Sequence, residues 1–409
     1  MSASFAPRPL IQFAQHSVLD LRQKQLAKFC YWEDFDQVLW VDPRSVFPDL
    51  AVFSLPSWDR MMLDAQPIPD YPAFLKPFDW PKNAQLDPWL KQIPRWVQDS
   101  CRLFPNQQLR LLHFCAKYPQ LFELLDQSPV LAWRLVSHGL TEPEIVALLS
   151  GNRANIVQQL GWPGKEQTVK LLRNLRLRFV NTQIAQQIET CIIDPRRLDG
   201  LQSLPRINSM ALALAAAFPQ WIGSRLHRAL AQLPCRPLQC QALVALLEDC
   251  VEFFTLTDQP QRLQQVGDCR YLSEVETLYR DALSQSFAHL PTPLFDQQAL
   301  SFHPQRIEDS AMCLGLSMVT QQPWWLMDLA DHSLSLVAWC DPSASPNAGP
   351  EQPNEPAIWV ALVRLPSSGA VGQILKLRGR NQALAQAKQL SELHLWLAQQ
   401  GNQNGVEQP

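Results

Sequence analysis

The sequence predicts a mainly helical α+β protein: an irregular helical bundle, then a small C-terminal antiparallel sheet of about three strands covered by a helix. Three observations carry this. Between residues 101 and 290, apolar positions recur at helical spacing in segments broken at polar or proline-containing joints. Inside that region the run Met210–Phe218, MALALAAAF, is too apolar to face water, so neighbouring helices must pack around it. After Pro291 the texture changes to short runs rich in Val, Ile and Trp, bounded by Gly, Pro or Ser.

Residues 1–100 form a proline- and tryptophan-rich region. Leu19, Leu21, Leu26 and Phe29 fall loosely at helical intervals, and VLWVD from Val38 and LAVFSL from Leu50 read as short strands. Pro56, Pro67, Pro69, Pro72, Pro77, Pro81 and Pro88 then forbid long regular elements. Such a stretch cannot pack on itself and is expected to wrap the helical domain, with Trp and Phe as anchors. A base-stacking platform would interleave its aromatics with Lys and Arg; here they alternate with Asp.

The all-helical domain is expected over 101–290. Gln107–Leu125 reads as one helix. Ser128-Pro129 opens the next as N-cap and first-turn proline, and Gly139 closes it. Thr141 and Glu144 stand at capping-box spacing. Further helices are expected at 165–179, 181–191, 205–218, 220–232, 236–254 and 271–287, without a fixed-length repeat. The C-terminal α+β domain, 291–401, follows. Its strands are 334–340, 357–365 and 371–377; its helix runs from Gln382 to Ala398 with Leu390, Leu393 and Leu397 on one face. Residues 402–409 read as a frayed tail.

The bulk composition excludes several classes. With 46% apolar and 18% charged residues and a net charge of −3, the chain reads as globular, neither a polycation nor a strong acid. The ten cysteines include no Cys-x-x-Cys pair, so free thiols in a reducing cytoplasm fit better than a metal site or a disulfide framework. No window is long and apolar enough to span a bilayer, so no membrane partner is expected, and no cofactor motif is present.

Charge is unevenly distributed. Glu33–Asp99 holds eleven acids and six bases, a balance of −5, whereas Lys165–Arg236 holds eleven bases and four acids, a balance of +7. The two regions either pair with each other or leave the basic one for an anionic partner; pairing is the plainer reading. Lys170, Arg173 and Arg176 recur at i+3 as a positive ridge that Arg178, Arg196, Arg197 and Arg206 extend if the helices fold back. Guanidinium forks suit phosphates, so nucleic acid is one candidate partner and another protein the second. Arg378, Arg380 and Asn381 cluster between the last strand and the last helix, in a loop expected to be open to a partner, although Asn381 also suits a helix cap. For chemistry the candidates are Glu308, Asp328 and His332, since a carboxylate one helical turn from an imidazole can orient it as a base. A helix-terminal His is also a common structural residue. No third metal ligand or nucleophile joins them in a recognisable pattern.

Three stretches together resemble the PcfJ-like proteins of mobile elements and bacterial genomes: YPQLFELLDQSPVLAWRLV from Tyr118, KLLRNLRL from Lys170 with SLPRINSMALALAA from Ser203, and the block from Gly379-Arg-Asn to LHLWLAQQ. The resemblance covers roughly 105–400. It implies a helical region followed by a small α/β domain, and mobile DNA in the neighbourhood. Glu308 and Met312 fit the family's C-terminal pattern, but Leu314 and Gly315 stand where an adjoining His-Cys pair is expected, and Cys313 is displaced. Gln373, Gly379 and Asn381 are present with altered spacing. What the resemblance implies is therefore a diverged, non-catalytic member that binds or scaffolds; the enzyme alternative places Glu308, Asp328 and His332 in a C-terminal cleft.

Overall fold

The computed structural model describes residues 19–234, 237–287, 300–308, 310–322, 324, 334–341, 357–365, 372–379, 385 and 387–403. They fall into two compact units, 19–244 and 245–403. The composition-based borders at 100 and 290 follow texture; this division follows packing and lies inside a single helix, Pro237–Leu256.

In the first unit, β1 (Cys30–Glu33), β2 (Val38–Val41) and β3 (Phe53–Pro56) form an antiparallel meander with Trp32 opposite Leu39 and Leu39 opposite Leu55. Cys30–Glu33, which follows the loosely helical positions Leu19–Phe29, is a strand in which Cys30 and Trp32 point inward and Tyr31 outward, a period of two. The proline-rich stretch carries α1 (Trp58–Leu63), α2 (Asp87–Gln92) and α3 (Arg95–Arg102). Its aromatics enter the core: Trp89 stacks on Phe78 with centroids 5.9 Å apart and donates its indole N–H to the Pro56 carbonyl at 3.0 Å. Trp96 meets Phe122 edge-on at 4.7 Å. One continuous core runs from Leu26 to Ala231, so these first hundred residues share it with the helices that follow.

Those helices are α4 (Gln108–Lys117), α5 (Pro119–Gln127), α6 (Pro129–Ser137), α7 (Glu142–Leu149), α8 (Arg153–Gln159), α9 (Glu166–Asn174), α10 (Thr182–Ile193), α11 (Pro195–Leu201), α12 (Ser209–Ala217) and α13 (Arg225–Leu230). The single helix expected from Gln107 to Leu125 is two, because Pro119 pushes Tyr118 into an extended conformation (φ −121°, ψ 105°) and restarts the helix at its first turn. Pro129 and Pro195 open helices in the same way, and Gly139, at φ +82°, supplies the left-handed turn after α6. At α7 the Thr141–Glu144 capping box forms, with the Glu144 carboxylate accepting from the Thr141 backbone N–H at 2.8 Å. The helix expected over 220–232 is shorter: Pro219–Trp221 makes a 3₁₀ turn, Gly223 reverses the chain at φ +75°, and α13 starts only at Arg225.

α12 lies at the centre. Met210 through Ala215 are buried, and the helix packs chiefly on α10 and also on α13. Its N-cap, Asn208, accepts from the Ala211 N–H at 2.9 Å while its amide donates to the Leu230 and Leu233 carbonyls at 2.7 Å each, so one side chain starts α12 and closes α13. His227 completes the joint. Its Nδ1 accepts from the Gly223 N–H at 3.0 Å, which leaves Nε2 as the protonated nitrogen, donating to the Ala211 carbonyl at 3.1 Å.

Burial pushes the His227 imidazole down to about 4, and a second proton at Nδ1 would break the Gly223 bond. A depressed histidine gives stability that is fully present above its unfolded value, near 6.5, and is lost as pH falls towards about 4. The drop is on the order of 3 kcal/mol, at about 1.4 kcal/mol per pH unit. Urea midpoints measured between pH 7 and pH 4 are expected to fall, and to fall distinctly less in His227→Gln.

The second unit begins with 245–256 of α14 (Pro237–Leu256), continues through α15 (Pro260–Asp268) and α16 (Leu272–Phe287), and contains a four-stranded antiparallel sheet. Its order is β4 (Gln305–Ile307), β5 (Leu334–Asp341), β6 (Ala357–Arg364), β7 (Gln373–Gly379). The three expected strands are present, and β4 adds a short edge beside β5. Alternation divides the faces: Leu336, Ala338, Cys340, Ile358, Val360 and Leu362 pack with Leu316 of α17 (Ser310–Thr320) and with Trp324. Val337, Trp339, Trp359, Ala361, Val363 and Leu377 pack under Leu393 and Leu397 of α18 (Ala387–Gln403). The sheet is therefore covered on both faces, and α18 takes in Asn402 and Gln403, where the sequence predicts a tail. No helix among the described residues is long and apolar enough to cross a membrane.

Candidate polyanion interface

The cationic candidates of the helical unit are brought together, though not by the helix expected to carry them. α9 ends at Asn174 rather than running to 179, because Leu175 leaves it to form a parallel bridge with Ile207. The Arg176 N–H donates to the Ile207 carbonyl at 2.8 Å and the Ile207 N–H to the Asn174 carbonyl at 2.9 Å. Leu175 and Ile207 are buried, whereas Arg176 and Arg206 beside them are exposed. Asn174 adds a side-chain bond to the Leu204 carbonyl at 3.1 Å, and Gln202 reaches the Gln167 carbonyl at 3.0 Å. Two segments about 30 residues apart in sequence are thus fastened edge to edge.

On this frame Lys170 and Arg173 share one face of α9, Arg176 and Arg178 follow at alternate positions of the segment after it, and Arg206 adjoins the bridge from the other segment. All five are exposed. No carboxylate of the described residues lies within salt-bridge distance of any of them. Arg176 also closes the helix before it. Its guanidinium donates to the Arg173 carbonyl at 2.6 Å and the Leu175 carbonyl at 2.8 Å, satisfying acceptors left over at the end of α9. Arg197 does not extend the surface, since it is paired with Asp194 and its Nε is held on the Ala215 carbonyl at 3.1 Å.

The C-terminal candidates are placed differently. Arg378 does not lie in an open loop; β7 runs on to Gly379, and Arg378 stands inside it opposite Val360, 8% exposed. It faces Asp249 of α14, with Nη2 3.1 Å from Oδ1. Lys376, two residues earlier on the same face, sits 3.0 Å from the same oxygen and also pairs with Glu252. The Gln322 amide donates to Asp249 Oδ2 at 2.9 Å, and the Lys376 ammonium lies 5.6 Å from the Trp324 ring centroid. Asp249, 2% exposed, therefore binds two cations and an amide at once. Burial, and after it the charge of Asp249, pushes the nearby Tyr279 phenol well up. The cluster ties β7 to α14, and Arg378 is turned to it rather than to solvent. It escapes sequence reading because its cations lie 124 to 129 positions from their acids, with no local pattern joining them.

Glu308 stands after β4, its side chain 78% exposed and 3.6 Å from Arg306. Asp328, His332, Arg380 and Asn381 lie outside the described residues. Among the described residues no group of three His, Cys, Asp or Glu side chains converges as metal ligands. Compared with known proteins, the chain matches no family model, no curated protein and no solved structure.

Proposed function

We propose that the chain is a non-catalytic binding or scaffolding protein, a diverged PcfJ-like protein of the bacterial cytoplasm, whose helical unit engages nucleic acid. The observation that supports this reading is the cationic surface: Lys170, Arg173, Arg176, Arg178 and Arg206 exposed together without a carboxylate partner among the described residues. Internal pairing with the acidic front half, the plainer expectation from sequence, accounts for none of these five; the acids there pair with other bases such as Arg44, Arg60 and Arg102. Guanidinium groups release counterions on meeting phosphates, so affinity must fall steeply with salt.

The test is a gel shift or anisotropy titration with a mixed-sequence DNA duplex and a single strand at several salt concentrations. Arg173→Glu/Arg206→Glu is the variant of choice, because Arg176 also caps α9 and its loss confounds binding with folding. The double variant is expected to bind at least about tenfold more weakly at low salt, with its log–log salt slope shallower by about 2. Absence of any shift at low salt would remove nucleic acid and leave a protein partner.

A further inference from the structure

A cavity of about 680 Å³ opens in the helical unit between the proline-rich segment and the helices α4 and α7. That volume suits a small organic molecule. Ile68 from the proline-rich segment, Phe114 from α4, and Pro143 and Val146 from α7 give it apolar walls. Its acid and one of its bases neutralise each other. Glu142 accepts from Lys117 at 2.8 Å, from the Tyr118 hydroxyl, and from the Ile68 N–H at 2.8 Å. Partial burial alone would raise the Glu142 carboxyl, but these three bonds outweigh it and hold the group below its usual range. Lys117 also donates to the Gln66 carbonyl at 2.7 Å, which clips the segment over the cavity.

Arg110 is left over. One of its terminal nitrogens donates to the Leu140 carbonyl at 2.7 Å, and its guanidinium lies 5.6 Å from the Phe114 ring centroid. The group is thereby oriented, while its remaining N–H groups have no acceptor among the described residues. The other acid on the lining, Asp70, is exposed, where solvent screens its charge. A pre-oriented guanidinium beside apolar walls is the chemistry that recognises a planar anion attached to a hydrophobic body.

The geometry points to a binding site for a small organic carboxylate, with the carboxylate on Arg110 and the apolar body against Ile68, Phe114, Pro143 and Val146. The site is separate from the cationic surface and stands or falls without it.

The experiment uses the full chain, with 2-naphthoate and its neutral counterpart 2-naphthamide as probes, read by saturation-transfer NMR and calorimetry. Wild type is expected to bind the acid saturably and at least about tenfold more tightly than the amide. Arg110→Gln should bring the acid to the level of the amide. Val146→Trp, which fills the cavity from a half-buried position, should remove both ligands; thermal melts check that each variant folds. Arg173→Glu/Arg206→Glu should leave naphthoate binding unchanged, which separates this site from non-specific attraction to the basic surface. No saturable naphthoate binding, equal affinity for acid and amide, or wild-type affinity in Arg110→Gln would each overturn the assignment.

Discussion

Asp249→Asn is expected to destabilise the sheet unit by about 3–5 kcal/mol, because it leaves Lys376 and Arg378 charged with their shared anion gone. Amide exchange in β7 and in residues 245–256 should then accelerate by roughly two to four orders of magnitude, while the helical unit keeps its protection. The larger part of that loss is the cost of stranded charge, not the worth of the ion pair itself. The triple variant Asp249→Leu/Lys376→Met/Arg378→Met separates the two. It should recover most of the stability, since Glu252 is about one-third exposed and solvent can take over from Lys376. A triple variant no more stable than Asp249→Asn would show that the cluster contributes through its charges.

Leu212→Ala is the second large effect. Leu212 is fully buried on α12, between Ala211 and Ala213, and small neighbours bring the adjoining helices close to the α12 backbone. Loss of the side chain removes its transfer free energy and leaves a cavity that the packed helices cannot collapse, for about 2–5 kcal/mol. For a unit of this size, a mid-range value near 3 kcal/mol corresponds to a fall in Tm of roughly 10 °C. Calorimetry of the full chain is the measurement. A change below about 1 kcal/mol would mean that α12 is not the centre of the core.

What is legible in the sequence follows from the range of the interaction concerned. α12 declares itself through composition alone, the α7 start through a spacing of three residues, and β5 and β6 through short apolar runs bounded by turn formers. These are local patterns. α9 reads too long because Leu175 fits a helical face as well as it fits a bridge to Ile207, and the bridge partner lies 32 residues downstream. Arg378 reads as a loop residue because the apolar run of β7 stops at Leu377, just before Arg378-Gly379-Arg380. It sits buried in the strand because an acid on α14 receives it. The cavity beside Arg110 leaves no trace in the sequence: Glu142 looks like the first residue of a capped helix, and its bonds to Lys117, Tyr118 and Ile68 cross 24 to 74 positions.

The bridge between Leu175 and Ile207 also sets an order of events during synthesis. Lys170, Arg173, Arg176 and Arg178 are close together in sequence, whereas Arg206 joins them only once Ile207 has left the ribosome and docked.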